Sequence, residues 1–131
     1  ITIASTGDAT EFGDLKLGRR GMGSASDGVR GVVAGGGTAS DADEDEIEYI
    51  TIATLGNAQD FGNLTAARDR IAKGMTCTLT RGTFSGGNVP AGTNIIDFVT
   101  IQSTGNAQEF GDLINTIFDI GGCSDSHGGL S

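Results

Sequence analysis

The segment ITIASTGDATEFGDL at residues 1–15 returns as ITIATLGNAQDFGNL at 50–64 and as VTIQSTGNAQEFGDL at 99–113, each copy beginning 49 residues after the one before. A fixed offset means that one supersecondary unit is repeated. A unit of this size cannot bury its apolar face alone, so neighbouring copies must cover it. A second block recurs less regularly. Arg30-Gly31-Val32-Val33-Ala34-Gly35-Gly36 matches Arg81-Gly82-Thr83-Phe84-Ser85-Gly86-Gly87, and His127-Gly128-Gly129-Leu130-Ser131 is the same block cut short. The spacing between the two blocks varies, which marks a loop between them.

Each piece reads as strand or turn. Residues 47–53 alternate apolar with polar or aromatic side chains and are rich in β-branched types, and residues 96–101 repeat the pattern, as a half-buried strand requires. Leu55-Gly56-Asn57-Ala58 reads as a turn, because Gly and Asn tolerate positive φ. Phe61 and its equivalents Phe12 and Phe110 are expected to begin the next strand and to anchor each unit. Leu64, a polar loop, a strand through Arg81-Gly82-Thr83-Phe84 and the Gly86-Gly87 turn then complete about four strands per repeat, the size of one propeller blade. A helical solenoid would need helical periodicity over roughly 10 to 15 residues per helix, and only Leu64 to Met75 comes near it. With 23 glycines against one proline and no tryptophan, the expected fold is all-β, built of four-stranded antiparallel blades. The repeat frame divides a single domain, 1–131, into a half-blade at 1–15, blades at 16–64 and 65–113, and a half-blade at 114–131.

Charge narrows the function classes. A net charge of −9 repels phosphate backbones and anionic lipid, so neither nucleic acid nor membrane is an expected partner. No window approaches a membrane-spanning run of about eighteen apolar residues, and the reading is a soluble chain.

The residues resemble the kelch repeat of β-propellers. Thr83-Phe84-Ser85-Gly86-Gly87 is similar to that family's double-glycine strand, and Tyr49 or Phe98 falls near its tyrosine. Phe61 and Phe110 stand where the family carries tryptophan, Leu64 at its leucine, and Arg19 or Arg68 at its arginine; the third copy lacks the arginine. The wording from Tyr49 to Arg68, with Thr80 to Gly87, also resembles repeats of virion-associated and tail-fibre-like proteins of marine bacteriophages, cyanophages above all. That resemblance implies a structural or receptor-facing role on a virus particle, and hence a virion location.

Candidate sites are few. Asp41, Asp43 and Asp45 head an acidic run that could offer oxygens to Ca²⁺. The run lacks EF-hand spacing and reads instead as a solvated loop. Asp8, Asn57 and Asn106, with Asp14, Asn63 and Asp112, place oxygen-bearing side chains in every repeat. Bonding of Asx side chains to their own turn explains the repetition without a metal. Cys77 and Cys123 have no CxxC spacing and read as small buried apolar residues, with a disulfide as the alternative. His127 follows Ser124 and Asp125, but no nucleophile-elbow motif surrounds them, and Cys77 has no histidine partner. Arg30 and Arg81 either face an acidic or glycan ligand or, the preferred reading, pair with Glu11, Asp60 and Glu109. No catalytic residue, cofactor or resident metal is expected.

The first and last half-blades are complementary, and unpaired strand edges are avoided in natural sheets. Self-association, or a longer chain supplying the remaining blades, is therefore expected. The functional expectation is a non-enzymatic structural component of a phage virion, of tail-fibre or decoration type, assembling with copies of itself and with other virion proteins. The alternative is a propeller module that binds a carbohydrate or receptor, with a host-surface glycan as partner. Sugar binders stack ligands on loop aromatics. This chain has seven aromatics, mostly at core positions of the repeat, which favours the structural role.

Overall fold

The computed structural model describes residues 6–71 and 76–124. Within them the chain is all-β and contains no helix. The expected half-blade strand at residues 1–5 and the truncated block at residues 127–131 lie outside the described residues.

Two antiparallel sheets follow one another. The first comprises β1 (Gly23–Ser26), β2 (Arg30–Ala34), β3 (Glu46–Thr51) and β4 (Gln59–Asn63), in spatial order β1-β2-β3-β4. The second repeats it with a two-residue β5 (Thr76–Cys77), β6 (Arg81–Ser85), β7 (Ile95–Thr100) and β8 (Gln108–Asp112). Every connection is to the next strand, so each sheet is a meander. Register repeats as well: Arg30 faces Thr51 as Arg81 faces Thr100, and Ala34 faces Ile47 as Ser85 faces Ile96.

Phe61 does not begin a strand as expected; it sits inside β4 as a bulge. Ile47 pairs with Gly62 and Glu48 with Asp60, which leaves Phe61 as the extra residue, and Phe110 is the extra residue between Ile96–Gly111 and Asp97–Glu109. Such a bulge bends and twists the outer strand. Each phenyl ring thereby meets an aromatic of the neighbouring strand edge-on. Tyr49 and Phe61 have centroids 6.0 Å apart, and Phe98 and Phe110 6.1 Å.

The sheets pack through opposite faces of the same pattern. In the first, Ala25, Val32, Ala34 and Ile47 are buried; in the second, Cys77, Gly82, Phe84 and Val99. Gly82 occupies the position of Gly31, and Phe84 that of Val33. The buried set has therefore moved by one residue, which in a strand means the other face. One sheet's inner face meets the next sheet's outer face, as in any stack of like units. Contact is closest between β1 and β6, where a Cβ on Gly82 would come within 2.6 Å of the Ala25 methyl. Ile71, Leu64, Ile101 and Ala107 complete a single core across both sheets.

Candidate functional site

The feature with the most internal regularity is the junction between successive repeats, and it is built twice. At the outer strand edge, the Gly-Asn-Ala turn of one repeat lies alongside the Phe-Gly-Asx segment of the repeat before it. Gly56 N–H donates to the Phe12 carbonyl at 2.8 Å and Ala58 N–H to that of Asp14 at 2.9 Å. Gly105 donates to Phe61 at 2.7 Å and Ala107 to Asn63 at 2.8 Å in the same way. Both segments run in one direction, so the turn adds a short parallel rung to the edge.

The asparagine of the turn closes the rung. Asn57 Oδ1 accepts from Asp14 N–H at 3.0 Å, and Asn106 Oδ1 from Asn63 N–H at 3.1 Å. This corrects the expectation that these side chains cap their own turns: they bond the backbone of the preceding repeat. The carbonyls of Gly56 and Gly105 approach so closely that only glycine fits beneath them. A Cβ on Gly13 would lie 2.2 Å from the Gly56 oxygen, and one on Gly62 2.4 Å from the Gly105 oxygen. Gly62 also holds φ at 146°, which an L side chain resists.

Beneath the edge a buried arginine crosses from the linker of one repeat to the strand of the next. Arg19 Nη2 lies 2.9 Å from Glu48 Oε2, and Arg68 Nη1 2.9 Å from Asp97 Oδ2, with all four side chains fully buried. Arg19 Nη1 also donates to the carbonyls of Gly35 and Glu46, and Arg68 Nη2 to that of Phe84. Asp97 accepts further from Thr65 N–H and the Thr65 hydroxyl. A buried ion pair stabilises only when such extra bonds offset its desolvation. The Arg68–Asp97 pair is the better supplied. At the other, Arg19 Nη2 and Glu48 Oε2 sit close but poorly aligned for a hydrogen bond. The repeat did carry the signal for these pairs. Arg19 and Arg68 are 49 residues apart, and so are Glu48 and Asp97.

The other expected sites are redistributed. Arg30 and Arg81 stack on aromatic rings, 4.6 Å above Tyr49 and 4.5 Å above Phe98, and Arg30 donates to the Ile101 carbonyl of the next repeat. Among the described residues no ion pair joins them to Glu11, Asp60 or Glu109, because the strand face that carries each arginine carries the ring as well. The acidic run is not one solvated loop. Asp41 pairs with Arg20, Asp45 accepts from Asn63, Glu46 pairs with Lys16, and Glu48 is buried. Asp43 is pushed above the usual aspartate range by burial, then by the carboxylates of Asp69 and Asp41. Asp41, Asp43 and Asp45 do not converge, and no group of three His, Cys, Asp or Glu among the described residues could hold a metal.

Cys77 is buried and its thiol faces the Ser26 carbonyl and Ser124, whereas Cys123 is exposed, contrary to expectation, and no disulfide joins them. Asp125 and His127 lie outside the described residues. A surface pocket of about 160 Å³ is lined by Phe61, Phe98, Gly105, Asn106 and Gln108; it is the crevice of the second junction, well below the ~300 Å³ at which small-molecule sites begin. A scan against protein-family models and a search among curated proteins returned no match to this chain.

Proposed function

We propose that the chain is a non-enzymatic structural module whose repeats build a rigid array, with kelch-like propeller blades as the finer description of each sheet. The setting implied by its resemblance to phage repeat proteins is the surface of a virion, as a tail-fibre or decoration component. The observation that supports this reading is the junction itself. The most constrained residues of the repeat, Phe61, Gly62, Arg68 and Asn106, are all committed to holding one repeat against the next. Phe61 and Asn106 do line a crevice, but at about 160 Å³ it is smaller than a substrate-sized cavity.

The role is tested on the particle. An antibody raised against the chain decorates intact virions of the phage that encodes it, at a regular position on tail or capsid. Labelling confined to the infected-cell fraction, or a micromolar signal for the purified chain on a glycan array, overturns the structural assignment.

A further inference from the structure

Each junction needs a turn and an edge, and among the described residues one of each is left unused. Turns occur at Gly7-Asp8-Ala9, Gly56-Asn57-Ala58 and Gly105-Asn106-Ala107, and edges at 12–14, 61–63 and 110–112. The second and third turns occupy the first and second edges. Left over are the first turn and the edge Phe110-Gly111-Asp112. We propose that this edge, on β8, is a docking site for the Gly7-Asp8-Ala9 turn of a second copy of the chain, so that copies associate head to tail.

Both halves already have the bound shape. Gly7 holds φ at 158°, beside 152° and 155° for Gly56 and Gly105, and Gly111 at 149°, beside 150° and 146° for Gly13 and Gly62. Neither half is covered by any of the described residues. Ala58 and Ala107 are each 8% exposed whereas Ala9 is exposed. Phe61 is 2% exposed and Phe110 58%. A Cβ on Gly62 meets the Gly105 carbonyl, while one on Gly111 meets nothing within 4 Å.

In the segment that follows the bare edge, the side chains of Ile114, Ile117 and Phe118 are exposed, and exposed apolar surface of this kind marks interaction sites. Ile117 stands where the internal junctions carry Arg19 and Arg68, so this edge asks no buried carboxylate of its occupant. The contact uses two different surfaces of one molecule. It is therefore heterologous, giving a ring if the rotation closes and a filament if it does not.

The inference rests on the structural reading above but fails separately from it. Sedimentation velocity at 0.15 M salt, across a range of protein concentrations, compares the parent with Ala9→Glu and Phe110→Glu. Both sites are exposed, and circular dichroism checks that each variant keeps its fold. The parent should form species larger than the monomer. Each variant alone should remain monomeric, and their equimolar mixture should form a dimer and stop, since it retains one good turn and one good edge per pair. A parent that is monomeric throughout, variants that associate like the parent, or a mixture that stays monomeric or polymerises overturns the docking. Particle labelling still decides the structural role in each of those cases.

Discussion

The outer strands β4 and β8 share nearly the same five residues, Gln-Asp-Phe-Gly-Asn and Gln-Glu-Phe-Gly-Asp, yet one is interior and the other is surface. Phe61 is 2% exposed and Phe110 58%, although both are bulge residues with the same edge-on aromatic neighbour. The difference comes from what lies outside the strand: the Gly105-Asn106-Ala107 turn covers β4, and among the described residues no such turn covers β8. Local sequence specifies the bulge, the ring pair and the glycine conformation. Burial is conferred by the neighbouring repeat. A repeat unit of this kind is thus shaped before it is covered.

The comparison breaks first at the buried charge. Asp97→Ala strands Arg68 in the core and should cost about 3–5 kcal/mol in urea unfolding. Pairing it with Arg68→Met should recover most of that loss. A loss near zero for Asp97→Ala alone would mean that the junction is open to water. Phe61→Ala comes next, at about 3–4 kcal/mol for an interior phenylalanine, against less than about 1 kcal/mol for Phe110→Ala in the monomer. Equal losses at the two sites would refute the covered-versus-bare distinction.

Glycine separates the same two edges more finely. Gly62→Ala and Gly111→Ala share the backbone penalty of a side chain at φ near 150°, of order 1–3 kcal/mol. Only Gly62→Ala also drives a methyl into the Gly105 carbonyl. The excess destabilisation of Gly62→Ala over Gly111→Ala, read as a difference in urea midpoints, therefore measures the turn's approach; no excess would mean that the turn is not seated there. Asn106→Ala removes a single hydrogen bond to backbone and should cost about 0.5–1.5 kcal/mol. Hydrogen exchange at the Asn63 amide should rise with it.

Much of the fold was legible because the repeat is printed three times. Fixed spacing gave the unit, alternation at 47–53 gave β3, and Gly-Asn gave the turn. The candidate site was less legible, for a reason visible at Asn57 and Asn106. Their side chains bond 43 residues back, and a local propensity rule can assign an Asx side chain only to its own turn. Arg30 and Arg81 were misread likewise. Period alone pairs them with the carboxylates that recur beside them, but strand alternation sets Arg30 on the face that carries Tyr49 and Arg81 on the face that carries Phe98. The bulge at Phe61 has no signal in hydrophobic pattern, because an extra residue shows only against its partner strand.

The smallest expected effect concerns a loop in which the two sheets differ. Between β2 and β3 the first sheet carries Asp41, Asp43 and Asp45, where the second has Val89-Pro90-Ala91-Gly92. Asp43 is raised above the ordinary aspartate value of 3.8 by burial first and by Asp69 and Asp41 next. A carboxyl whose folded pKa is raised favours the fold in its protonated form. That contribution is complete below the unfolded value and is lost as pH rises through the folded one. At neutral pH the charge is therefore a liability that the second sheet lacks. Asp43→Asn should raise the melting temperature slightly at pH 7 and leave it unchanged near pH 3. An advantage of equal size at both values would assign the effect to packing of the amide, and the two loops would then differ in shape rather than in charge.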